Sequence, residues 1–243
     1  MTPAELISTT SPAIASLGGS FYFQPATLAR GKAMGLDGFR FYFLGRGGVL
    51  GDVEAPVVTS AFGYFEPALI ARMWSSAKEI VSPREAGAAY VEACREHGRA
   101  HLGEVEGLEE FCAAAGSVVA AQHPAGLALF AGWAAEPLPD DAPGKAMQLI
   151  STLRELRGSV HLLAVVASGL SAQKAHFIKR PDDYKNFGYD PDAPPEITDT
   201  DRERYDRAGQ LTDELLVPAY STLDDAGAEA FRAGVHAIET ALT

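Results

Sequence analysis

Apolar positions along this chain recur mostly at helical spacing, in segments opened by proline and closed by glycine. Leu69, Ile70, Met73 and Trp74 follow Pro67 with that period, and Ser82-Pro83 opens an amphipathic run through Tyr90 to Cys94. Residues 105–122 and 143–157 read the same way. The apolar stretch from Val160 to Leu170 predicts a separate buried helix with Gly169 as its C-terminal cap. Two more helices are expected over 200–216 and 224–242, joined by the short segment Val217 to Ser221, with Thr222 or Asp224 free to cap the second. Few runs alternate with period two, so the expected fold class is mainly α.

Breaks in the pattern suggest the organisation. Pro137, Pro139, Asp140, Asp141 and Pro143 make the strongest linker signal, which places an aromatic- and glycine-rich helical region at 1–139 and a second helical region at 140–243. Four prolines among acidic residues in 181–198 predict an exposed loop.

Composition narrows the class. With 47% apolar and 21% charged residues the chain is an ordinary globular sequence, and disordered or fibrous readings fall away. No basic residue precedes Arg30, so the first 20 residues do not read as a secretory signal. No apolar stretch reaches the roughly 18 residues of a membrane span. The expectation is a cytoplasmic protein without a membrane partner, in which Cys94 and Cys112 are buried small hydrophobes rather than a bridge. The net charge of −12 is concentrated: residues 181–243 carry 15 acidic side chains against 5 basic ones. Such a block repels phosphate, so DNA is not an expected partner.

Candidate chemistry lies in four places. Ten of the 22 aromatic residues fall between Phe21 and Phe65, as Phe21-Tyr22-Phe23, Phe39 with Phe41-Tyr42-Phe43, and Phe62 with Tyr64-Phe65. They build either a core or the wall of a pocket, and consecutive aromatics cannot all face one core. Gly45-Arg46-Gly47-Gly48-Val49-Leu50-Gly51 lacks the third glycine of a dinucleotide fingerprint and the Gly-Lys-Ser/Thr of a phosphate loop. A flexible turn carrying Arg46 is therefore expected there. Cys94, His97 and His101 approach metal spacing but lack a carboxylate-histidine signature, so a solvated helix end is the better reading and no metal is expected. Finally, Arg157, Ser159 and His161 stand where the apolar helix is expected to begin, and a helix N-terminus beside a cation and an imidazole suits an anion. The competing reading is a buried histidine satisfied by a backbone carbonyl, with the arginine paired to Glu155 or another acid.

In its segments Ala33 to Phe39, Gly45-Arg46 through Leu50-Gly51, Val57 to Phe62 with Phe65, and Leu153 to His161 followed by Gly169-Leu170, the chain resembles an actinobacterial family of helix-turn-helix proteins. That family's pattern reads Arg-Gly-Asp-Gly-His where this chain has Arg157-Gly158-Ser159-Val160-His161, so the arginine and histidine carry over and the acid does not. The end of the chain also resembles a MarR-type winged helix, which implies a wing strand at 218–222 between the helices 200–216 and 224–242.

Three functions follow, in order of preference. The first is a small-molecule-binding protein on a winged-helix-derived scaffold, its pocket suited to an anionic or polar aromatic ligand and formed by Arg46, Arg157 and His161 with Tyr42, Phe43, Phe62 and Phe65. A DNA-binding regulator and an enzyme using arginine and histidine acid-base chemistry in the same pocket are the alternatives. No nucleophile elbow is present, and no cofactor is expected.

Overall fold

A computed structural model describes all 243 residues, and no strand occurs in it. Twelve α-helices run in order: α1 (Pro3–Leu17), α2 (Pro25–Ala33), α3 (Gly38–Gly47), α4 (Ala55–Phe62), α5 (Pro67–Lys78), α6 (Pro83–His101), α7 (Leu108–Ala121), α8 (Ala128–Ala134), α9 (Ala142–Ala167), α10 (Ala172–Lys179), α11 (Asp199–Tyr220) and α12 (Asp225–Leu242). Gly48–Leu50 and Pro181–Phe187 form 3-10 turns. The fold is mainly α. Proline at the first or second position opens α1, α2, α4, α5, α6 and α9, where its missing N–H has no intrahelical partner to lose. Side chains of Asp37, Ser82, Asp141, Ser171 and Asp224 each accept an N–H from the first turn of the helix that follows.

Three expectations need correction. Residues 143–157 and 160–170 are not two helices but parts of one, the 26-residue α9, which runs through Gly158. The buried stripe Ala146, Leu149, Ile150, Leu153, Leu156, Val160 and Ala164 is unbroken there, and a glycine costing about 1 kcal/mol relative to alanine does not interrupt a helix that buries so much. No wing exists at 218–222. Helix α11 continues to Tyr220 with Pro218 inside it, because Ala208, Thr212, Leu216, Ala219 and Tyr220 keep one face buried past the proline. Finally, Gly45 to Gly51 is no flexible turn: it ends α3 and forms a 3-10 turn against α6.

Helix α9 is the axis of the molecule, with α1, α6, α7, α8 and α11 packed around it. One cluster of 50 buried apolar residues draws on both sides of residue 140, from Leu6 to Ile238. A second, of five residues, joins α10 to the end of α9 and the middle of α11: Ala164, Val165, Leu170, Ala175 and Ala208. After α9 the chain turns at Gly169, whose φ of 72° favours glycine. No helix is long and apolar enough to cross a membrane.

The glycines of the 45–48 segment serve close approach rather than flexibility. A Cβ on Gly45 would sit 2.6 Å from the Tyr90 ring, and one on Gly48 only 2.0 Å from the carbonyl oxygen of Pro83 and 2.8 Å from the nitrogen of Gly87. Backbone cannot yield as a side-chain tip can. Gly48→Ala is expected to destabilise the protein by about 3 kcal/mol, the upper part of the range for overpacked sites, read as a lower urea midpoint.

Candidate functional site

Helix α3 reaches α9 through one buried ion pair. Arg46 donates from Nε to Oε1 of Glu155 at 2.8 Å and from Nη2 to Oε2 at 2.7 Å, while its Nη1 donates to the Tyr42 hydroxyl at 2.8 Å. Glu155 is 1% exposed. Its Oε1 also accepts from the Tyr22 hydroxyl at 3.0 Å and from Nη1 of Arg154 at 3.0 Å. Burial pushes this carboxyl up, but Arg46, Arg154 and Tyr22 outweigh it and hold it below the usual carboxylate range. Phe62 lies under the Arg46 guanidinium, its ring centre 4.5 Å away.

Above this floor opens a cavity of about 170 Å³. Tyr42 and Arg46 come to it from α3, Phe62 from α4, Tyr64 and Phe65 from the loop that follows, and Arg154, Glu155, Arg157, Ser159 and His161 from α9. Ala175, His176, Lys179 and Arg180 close another side, with Phe187 from the second 3-10 turn and Tyr205 from α11. The Phe65 and Phe187 rings stack at 4.1 Å, and His176 packs on Phe187 at 3.8 Å.

Of the residues singled out from sequence, Arg46, Arg157, His161, Tyr42, Phe62 and Phe65 line this one cavity. Phe43 does not. It is fully buried behind the wall, its ring 5.5 Å from Phe62 and 4.9 Å from Phe65, because on α3 only the face of Tyr42 and Arg46 turns towards α9. Arg157 and His161 stand in the body of α9, so no helix N-terminus lends them its dipole. Nor is Arg157 paired with Glu155, whose oxygens are taken by Arg46, Arg154 and Tyr22. Cys94, hydrogen-bonded to Ser151 at 3.2 Å and buried, does not join His97 and His101.

His161 is held in one tautomer. The Thr212 hydroxyl donates to the carbonyl of Ala208 at 2.6 Å, so it must accept from His161 Nδ1 at 2.8 Å, and Nε2 keeps the free lone pair. Burial, with Arg157 and Lys179 adding to it, depresses the imidazole to about 4. Lys179 is lowered too, by burial and by Arg157, Arg180 and Arg154 around it.

Sequence reasoning missed Arg154, His176, Lys179, Arg180, Phe187 and Tyr205. One signal was present: Lys179-Arg180 is the chain's only adjacent pair of cations, just ahead of the acidic block. Tyr205 and Phe187 come from segments whose positions only the tertiary fold reveals.

A family model described as a helix-turn-helix family matches residues 7–193. The chain belongs to that helix-turn-helix family. The span includes every cavity residue named above except Tyr205, and leaves out all of α11 and α12. No curated protein and no solved structure matches the chain.

Two outcomes are expected of this site. Glu155→Ala would leave the buried Arg46 guanidinium, and the half-buried one of Arg154, without their counter-charge and should cost about 3–5 kcal/mol, measured by chemical denaturation. For His161, the folded state resists protonation down to pH about 4 while the unfolded chain protonates near 6.5. The unfolded state therefore binds more protons in that window, and stability falls as pH drops through it. His97, depressed in the same way by burial, contributes in the same direction. In His161→Gln the decline of the thermal midpoint between pH 6.5 and 4 should be shallower than in the parent, leaving the part that His97 and His176, both lowered by burial, contribute.

Proposed function

We propose that this chain is a small-molecule-binding protein whose cavity takes an anionic ligand carrying no more than a single ring. One observation carries the reading. Six buried side-chain polar atoms lack a hydrogen-bond partner, and three of them, Arg157 Nε, Tyr64 OH and His176 Nε2, belong to residues of this one cavity. Buried polar groups are almost always satisfied, so a concentration of orphans around an open space points to a missing partner there. Charge gives the sign of that partner: five cations line the space against one carboxylate, which is already bound. Size gives the limit. At about 170 Å³ the space is close to the ~150 Å³ in which an apolar cavity admits benzene, and below the roughly 300 Å³ where drug-sized sites begin.

Benzoate, phenyl phosphate and neutral benzyl alcohol test this by calorimetry. The anions are expected to bind and the alcohol not to, and Arg157→Gln should weaken the anions roughly ten- to hundredfold, about 1.5–3 kcal/mol. Binding of the alcohol alone, or of none of the three, would remove the reading.

A second reading, a DNA-binding regulator, has the family membership in its favour. The acidic balance of residues 181–243 opposes it, and Arg30, Arg40, Lys78 and Arg84 are each already within an ion pair. Band shifts of random duplex DNA that persist at physiological salt would favour this second reading.

A further inference from the structure

The cavity's cations are not equivalent, and the difference between them selects among anions. On the floor, Arg46 presents its planar fork to Glu155 and receives a planar carboxylate in return, with both oxygens used. That carboxylate need is met from within the chain. Higher in the cavity stand three further cations, Arg157 from α9 and Lys179 and Arg180 from the end of α10, and none of them has an acidic partner within salt-bridge distance. They approach from two different elements and so cannot present one coplanar fork. Their separate directions suit an anion with oxygens on several sides, which a tetrahedral group has and a carboxylate lacks.

Charge points the same way. Three cations held together without acid repel one another, and a single negative charge leaves two of them uncompensated. His176 is 6% exposed, with an unpartnered Nε2 on the wall beside them, and can donate to an oxygen in its Nε2-protonated tautomer. Next to this polar side lie Tyr64 and the stacked Phe65–Phe187 pair, an apolar surface the size of one ring.

We propose that the ligand is a phosphate monoester, its dianionic head held by Arg157, Lys179 and Arg180 and its organic part, no larger than one ring, against Tyr64, Phe65 and Phe187. This rests on the anion-binding reading above and narrows it to a ligand class. The chemistry excludes a simple aryl carboxylate as the preferred occupant, and the volume excludes a nucleotide lying wholly inside.

The test compares phenyl phosphate, inorganic phosphate and benzoate on the full chain by calorimetry at about pH 7.5, where a monoester whose second pKa is about 6 carries close to two charges. Phenyl phosphate is expected to bind at least about tenfold tighter than either of the others. The double variant Lys179→Gln/Arg180→Gln alters rim residues that make no side-chain hydrogen bond or ion pair, so the fold should persist, as circular dichroism would verify. In it, both anions should weaken, phenyl phosphate by at least about tenfold more than benzoate, so that its advantage collapses. Benzoate binding as tightly as phenyl phosphate overturns the phosphate assignment and leaves the anion reading standing. Inorganic phosphate binding as tightly overturns the ring. Equal losses for both aryl anions in the double variant overturn the selective role of Lys179 and Arg180. Failure of every anion removes this proposal and the reading beneath it together.

Discussion

The Arg46–Glu155 ion pair is the constraint on which the site depends. It joins two helices more than a hundred residues apart in sequence, inside a low-dielectric interior where removing either charge would strand the other. A buried pair of this kind is weak as a source of net stability, because desolvating both charges offsets most of their attraction. What it does is fix geometry. Tyr22, Tyr42 and Arg154 satisfy what remains of the two groups, so the network admits one arrangement of α3 on α9. Gly45 and Gly48 let α3 and its 3-10 turn lie close enough on α6 for Arg46 to reach across.

That same pair determines the charge of the space above it. Glu155 is the cavity's only carboxylate, and by serving Arg46 and Arg154 it has nothing left for Arg157. A chain with a net charge of −12 thereby keeps a locally cationic cavity. The acidic surface of the last 63 residues does not cancel it, since exposed charges are screened beyond about 8 Å at physiological ionic strength while charges facing one small space are not.

Much of the fold was legible in sequence because helix periods and proline starts are local signals. The starts of α5, α6 and α12 follow from Pro67, Ser82-Pro83 and Asp224 directly. Breaks were misread where a local signal met a tertiary one: Gly158 reads as a boundary, yet a continuous buried stripe carries α9 through it, and Pro218 reads as the start of a wing, yet α11 buries its face past it. At the site, Arg46, Arg157 and His161 could be singled out as chemically loaded. Their charge relations could not. Whether Glu155 serves Arg157 two residues away or Arg46 a hundred and nine residues away depends on how α3 lies on α9, which no spacing encodes.

The family match ends at residue 193, but the state of the cavity does not depend on the matched residues alone. Thr212, on α11, holds the Nδ1 proton of His161 and leaves the lone pair on the opposite nitrogen, and Tyr205, about two turns earlier on the same helix, meets the His161 ring edge-on at 6.1 Å. Tyr64 stacks over the other side at 6.4 Å. The imidazole is thus positioned between a loop of the matched region and a helix beyond it. Within the matched span the cations set the positive charge of the cavity, whereas α11 sets which nitrogen of His161 can accept a proton. Relatives that keep Arg157 and His161 but differ along this helix would share the charge of the site and not its proton chemistry, because a histidine's tautomer follows the hydrogen bond made by its other nitrogen.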